Sequence, residues 1–278
     1  MSSSGHSSRP IVCGVDHSPG ARAAAGIAFG LAGTLGAPLA LVHAVPLPLP
    51  SREMGVASPT SFAVVDEMRE AGVTLLDEIA AELGGDHEIG RDVQVGGAAE
   101  VIRTAAENAG AEFVVVGSRG LGSVGAVLLG SVSRSLATRG PCPTLIVPGS
   151  ASPVGQRPVV CAADDSDGAH AALTTAAGLA ERLGSQLVLV TAETDDHAAA
   201  DGVRRMVTEA GLERRAELVV ARGEPATAIV EAADARGAGM IVIGSRGRGA
   251  LAASVLGSVS ASVAGLSACP VLVVRAAA

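Results

Sequence analysis

Two stretches of the 278-residue chain combine residue types suited to holding an anion. The first is Gly117-Ser118-Arg119-Gly120, nine further residues, then Gly130-Ser131-Val132-Ser133. The second repeats the spacing: Gly244-Ser245-Arg246-Gly247, nine residues, then Gly257-Ser258-Val259-Ser260. Glycines let a backbone approach a phosphate closely and take positive φ. A helix opening near Gly130 presents unpaired amides and the positive end of its dipole. Ser131 and Ser133 add hydroxyl donors, and Arg119 supplies charge. A single copy reads equally well as a glycine-rich turn with serine caps; the recurrence of one spacing favours the phosphate reading.

The other reactive residue types narrow the chemistry. The chain has twenty arginines and no lysine. That removes a P-loop lysine, a Schiff-base lysine and a kinase strand lysine. No Glu or His lies in either glycine-rich loop to activate water, so no catalytic residue is assigned. Slow hydrolysis of a bound nucleotide, or phosphotransfer, stays as the alternative. Gly120-Leu121-Gly122-Ser123-Val124-Gly125 fits a dinucleotide fingerprint, as does the stretch from Gly247 to Ala252. Such a fingerprint follows the first strand and needs an acid ~20 residues on. No Asp or Glu occurs between Glu112 and Asp164. Asp164-Asp165-Ser166-Asp167 suggests a metal site, but acids at a helix start, favouring its dipole, explain it more simply. The histidines at 6, 17, 43, 87, 170 and 197 form no spaced pair suited to a metal, and His43 reads as a strand-end residue. Cys13, Cys142, Cys161 and Cys269 read as structural.

The elements that position these loops come from a duplication. Ile11–Val45 lies on Val159–Glu193 with 18 of 35 residues identical, and Ala111–Val147 lies on Ala238–Val274 with 19 of 37 identical. The two offsets, 148 and 127, leave the second copy 21 residues shorter in its middle. Pro148 to Gly155 reads as a linker, giving units at 1–149 (ordered from about 9) and 158–278 joined by 150–157. In the first copy strands are expected at Ile11–Val15, Leu39–Val45, near Val93 and Val95, at Phe113–Val116 and at Thr144–Val147. Ser18 caps the first helix, which Gly36 ends; further helices are expected around Phe62–Leu83, from Ala98 to Asn108 and near Ser131. Apolar strands alternating with helices mean an α/β fold, a parallel sheet covered on both faces, with ligands at the strands' carboxyl ends.

Composition closes off other classes. Apolar residues make up 48% and charged residues 17% of the chain, enough for large cores. With three Phe, no Tyr, no Trp and a net charge of −8, neither a nucleic acid nor an acidic membrane is an expected partner. The uncharged run from Ala23 to Ser51 is broken by glycines and Pro38, and its counterpart carries Glu181 and Arg182, so no membrane span is expected. No signal peptide is recognised, and the expected location is cytoplasmic.

The doubled G-x-x-G-x9-G-S spacing, the five alternating strands and the early Val15-Asp16-x-Ser18 resemble the universal stress protein family, in tandem ATP-binding form. The resemblance covers both copies and implies two flavodoxin-like, Rossmann-like five-stranded parallel sheets with ATP and Mg2+ at the strand ends. It implies that Val15, Asp16, Ala163 and Asp164 hold the nucleoside end and that Leu39 and Leu187 line the adenine. Val116 with Gly117, and Ile243 with Gly244, would flank the nucleotide. Arg119, Gly120, Gly130, Ser131, Val132 and Ser133 would surround the phosphates, as would Arg246, Gly247, Gly257, Ser258, Val259 and Ser260. The position of Arg119 and Arg246 is often His in the family, and the first copy has Arg134 where the second has Ala261. The implied role is a nucleotide-dependent stress-response module with an unidentified protein partner. The resemblance also implies pairing, since single-domain relatives form two-fold dimers, often through the last strand; an internal pseudo-dimer is expected, with strand five against Val271–Val274, and a further homodimer is compatible with it.

Overall fold

The computed structural model describes residues 9–47, 59–85, 87–120, 129–193, 198–246 and 255–276. The first half runs β1 (Ile11–Gly14), α1 (Pro19–Leu35), β2 (Leu39–Val45), α2 (Pro59–Leu83), β3 (Ile89–Val95), α3 (Ala98–Ala109), β4 (Phe113–Gly117), α4 (Ser131–Arg139) and β5 (Thr144–Val147). The second half repeats it as β6 (Val159–Ala162), α5 (Asp167–Leu183), β7 (Leu187–Glu193), α6 (Ala198–Glu209), β8 (Ala216–Arg222), α7 (Pro225–Asp234), β9 (Met240–Gly244), α8 (Ser258–Leu266) and β10 (Val271–Val274). The elements begin and end where local chemistry places them. Ser18 and Ser166 accept from the amides of Ala21 and Ala169, capping α1 and α5. Gly36 and Gly184 end the same helices at φ 61° and 63°, a left-handed conformation that glycine takes without strain. β3 is longer than its central valines suggest. It is an outer strand, where Arg91 and Asp92 sit among partly exposed neighbours, and such charges blunt a free edge.

The strand order is β3-β2-β1-β4-β5-β10-β9-β6-β7-β8, so the two five-stranded sheets expected from the repeats are continuous. Pairing is parallel within each half and antiparallel between β5 and β10, where Ile146 faces Val271, Leu145 faces Leu272 and Thr144 faces Val273. Side chains alternate across the sheet. Ile11 and Cys13 enter a core that runs through both halves beneath α1, α2, α5 and α6, whereas Val12 enters one beneath α3 and α4. Buried alanines at 24, 25, 28 and 32 let α1 sit close to the strands. Two polar links also cross between the halves. Arg182 of α5 pairs with Glu112 before β4, and Arg275 donates to the Gly140 carbonyl at 2.6 Å. The 21 residues missing from the second copy fall between β7 and β8: α6 has 12 residues against 25 in α2. Among the described residues no helix is long and apolar enough to cross a membrane.

Thr144 is buried in β5 and its Oγ1 has no hydrogen-bond partner, while the same position in β10 is Val271. A buried unpaired hydroxyl costs about 1–3 kcal/mol, so Thr144→Val is expected to raise stability by about 1 kcal/mol in urea melts. Burial pushes the Cys13 and Cys161 thiols to about 12 and the Cys142 thiol to about 11, and also raises Cys269. With Cys13, Cys161 and Cys269 buried, a disulfide reagent at pH 8 should label these three only on the timescale of unfolding, and the partly exposed Cys142 faster than these but more slowly than a free thiol. Residues 1–150 expressed alone should self-associate or melt earlier than the whole chain, because β5 then becomes an apolar edge; a stable monomer in light scattering and thermal melts contradicts this.

Candidate functional site

The strand order reverses between β1 and β4, and again between β6 and β9, so a crevice opens at their carboxyl ends. On the β1 side, Val15 extends the pairing by donating to the Val42 carbonyl at 2.9 Å, and Asp16 follows in the turn. Asp16 Oδ1 accepts from the Ser18 amide at 2.9 Å and from its hydroxyl at 2.5 Å, while Ser18 Oγ accepts from the Ala21 amide at 3.2 Å. This chain of bonds fixes the carboxylate and closes the start of α1.

The β4 side approaches closely at two glycines. A Cβ on Gly117 would lie 3.0 Å from the backbone of Gly20, and one on Gly120 would lie 2.8 Å from Asp16 Oδ2. The Ser118 amide donates to Val147 of β5 at 2.8 Å, and the Gly130 amide donates back to Ser118 at 2.9 Å. α4 then begins with Gly130 as its cap and has no side-chain cap bond. Of the two helices that start at this crevice, α1 is satisfied by its own serine and α4 is not. The first-turn amides of α4 thus keep their capacity to bind an anion.

The second crevice is built alike. Asp164 Oδ1 accepts from the Ser166 hydroxyl at 2.6 Å, a Cβ on Gly244 would lie 2.7 Å from the Gly168 backbone, and Ser245 donates to Val274 at 2.6 Å. Gly257 starts α8, again without a side-chain cap. The differences lie at the rim. His17 and His43 of the first crevice meet edge to face with centroids 6.0 Å apart, and His43 Nδ1 donates to the Val15 carbonyl at 2.9 Å. The second crevice has Asp165 and Thr191 in their places. Asp165 takes φ 63° and pairs with Arg205 at 3.5 Å, while buried Thr191 Oγ1 has no hydrogen-bond partner.

The structure brings most of the expected residues together. Gly117, Arg119 and Gly120 lie beside Gly20 and Asp16, and Gly130 to Ser133 open α4 beside Ser118; Asp164 precedes α5, Gly244 and Arg246 lie beside Gly168, and Gly257 to Ser260 open α8 beside Ser245. Val15, Val116, Ala163 and Ile243 are buried strand-end residues that supply backbone there. Gly247 lies outside the described residues. Leu39 and Leu187 do not join either site. They open β2 and β7, pair with Ile11 and Val159, and are buried at the end of the sheet opposite the aspartates. The pairing register puts His43 and Ala44, with Thr191 and Ala192, at the crevice end instead. The sequence signal for them was the end of the apolar run, not its beginning. Ser133 and Ser260 also act differently from the hydroxyl donors expected. Ser133 Oγ donates to the Gly130 carbonyl at 3.0 Å, and Ser260 Oγ to Gly244 at 2.6 Å, so both tie the loop together. Among the described residues no group of three His, Cys, Asp or Glu is placed to hold a metal ion. The acidic run at 164–167 instead serves the start of α5, where Ser166 caps and Asp167 lies in the first turn.

The universal stress protein family model matches residues 7–148 and 156–275. A universal stress protein of Mycobacterium tuberculosis is 31% identical over 299 aligned residues, covering 98% of each chain. One from Mycolicibacterium smegmatis is 31% identical over 288, covering 95% of this chain and 96% of that one. The crystal structure of a universal stress protein from Archaeoglobus fulgidus superposes with a TM-score of 0.73 at 25% identity, covering 97% and 99% of the two chains. With two crevices of one design in one sheet and relatives matched along its whole length, the chain belongs to the universal stress protein family, in its tandem form.

Proposed function

We propose that each half binds ATP, the phosphates resting on the start of α4 or α8 and the nucleoside end against Asp16 or Asp164. The observation that carries this reading is the uncapped helix start at Gly130 and at Gly257, each beside a glycine-lined gap and a fixed aspartate. The residues present fit the ligand. The close approach at Gly117 and Gly120 leaves backbone where a side chain would intrude, and Arg119 and Arg246 bring cations suited to phosphate oxygens. Mg2+ arrives with the phosphates, since magnesium commonly keeps waters and uses substrate phosphates rather than an all-protein cage. Ala44 and Ala192, small residues at the crevice end of β2 and β7, leave room for a flat base in place of Leu39 and Leu187. The units at 1–149 and 158–278, joined by 150–157, then act as one nucleotide-dependent stress-response module whose state a protein partner reads in the cytoplasm.

Calorimetric titration with Mg-ATP is expected to show one to two sites per chain. Gly130→Val and Gly257→Val place bulk where the phosphates should approach, while their Cβ atoms come no nearer to the fold than the Ser118 and Ser245 carbonyls at 3.4 and 3.3 Å. Each variant should lose ATP at its own half with circular dichroism unchanged, and the double variant should bind none. Full stoichiometry in the double variant contradicts the assignment.

A further inference from the structure

The halves differ sharply on the face where α3 meets α4. There a groove of about 770 Å³ opens, lined among others by Gly97, Glu100, Arg103, Ser131, Ser135 and Arg139. That volume lies within the ~300–1,000 Å³ of small-molecule sites. Ser131 and Val132, the first residues of α4, belong both to this groove and to the proposed phosphate site. The groove therefore continues from that site along α4, and Arg139 reaches back along the helix to Ser135, about one turn or ~6 Å from its start.

Its charges are placed by the fold. Arg103 donates to Glu100 at 3.1 and 2.5 Å and also pairs with Glu107, which neutralises Glu100 and fixes the guanidinium. Arg139 donates to the Ser135 hydroxyl at 3.1 Å and lies near enough to Glu100 to help Arg103 hold that carboxyl below its ordinary value, with no direct ion pair between Arg139 and Glu100 among the described residues. Gly97, at the start of α3, brings no side-chain cap. The duplication supplies an internal comparison. The second half has Glu224 for Gly97, Val230 for Arg103 and Leu266 for Arg139. Glu224 caps α7 through the Thr227 amide at 2.9 Å, and Val230 packs into the core with Val263. The second half therefore has a capping carboxylate at this position and no arginine, since Val230 is buried and Leu266 is an exposed aliphatic residue.

We propose that the first half takes a nucleotide whose phosphate chain carries a further anionic group, held in the α3–α4 groove by Arg139, whereas the second half takes the nucleotide alone. This rests on the nucleotide reading of the two crevices and names the ligand class of the first. One added charge-assisted hydrogen bond corresponds to about tenfold in affinity.

The test uses the full chain with one crevice blocked at a time, probed with ATP and with adenosine 5′-tetraphosphate in excess Mg2+. In Gly257→Val, which keeps the first crevice, the tetraphosphate should bind about tenfold tighter than ATP. In Gly130→Val, which keeps the second, the two should agree within twofold. Adding Arg139→Gln to Gly257→Val should return the tetraphosphate to the affinity of ATP and leave ATP itself unchanged, with an unaltered melting curve. Arg139→Lys should keep part of the gain. Equal binding of both probes to Gly257→Val overturns the proposal while leaving the nucleotide reading in place, as does a gain that survives Arg139→Gln. Absence of ATP binding in the unsubstituted chain removes both.

Discussion

Two strands of four residues, β5 and β10, would each be a bare apolar edge if either half stood alone, and their antiparallel pairing is what the remaining architecture depends on. Leu145, Ile146, Val271 and Leu272 are buried; helices cover the faces of their strands, and the other half supplies the strand beside each edge. The consequence reaches both crevices. Ser118 is fixed by the carbonyl of Val147 and Ser245 by that of Val274, so each glycine-rich loop is anchored on the last residue of a strand that the opposite half holds in place. The links from Arg182 to Glu112 and from Arg275 to Gly140 run from the second half to the first. Their pseudo-symmetric counterparts would need Thr34 and Pro148 as the donors toward Gly239 and Ser267, and proline has no side-chain donor.

Within each crevice the two helix starts divide the work. Ser18 and Ser166 satisfy the first amides of α1 and α5, and by accepting there they also hold Asp16 and Asp164 in one orientation through their own hydroxyl protons. α4 and α8 start at glycines that bring no side chain to the same task. One helix start spends its capacity on positioning a carboxylate, and the other keeps its amides for whatever enters. Ser133 and Ser260, donating to carbonyls of the loop, hold the uncapped start in place without covering it.

Duplication turns each departure from symmetry into a comparison under one fold. The core beneath α1 and α5 is repeated closely, down to the buried Cys13 and Cys161. The outer surroundings are not: α2 is about twice the length of α6, His17 and His43 stand where the second half has Asp165 and Thr191, and Gly97 stands where it has Glu224. Packing constrains what lies against the sheet, because a core tolerates little change in volume. The crevice rims and the α3–α4 face carry no such constraint, and there the halves have diverged in charge.

What could be read from the sequence was whatever local chemistry sets. The serine caps, the left-handed glycines at 36 and 184, the apolar runs of β2, β4 and β5 and the doubled glycine spacing each act over a few residues, and each lies where the sequence placed it. β1 stops one residue short of Val15 and β4 runs one past Val116, the usual uncertainty of an element's end. Leu39 and Leu187 show where this kind of reading stops. An apolar run identifies a strand, but which of its ends lies level with Asp16 is decided by the register of β2 against β1, and that register put Ile11 opposite Leu39. The hydroxyl of Ser133 was legible as a donor, but not its acceptor, which is a carbonyl brought near by the fold of the loop. The continuous ten-stranded sheet, the two arginine links between halves and the groove beside α4 depend on residues up to 135 positions apart. Caps and periodicity are properties of neighbours along the chain; register and the distances between loops are set only when the two halves close on each other.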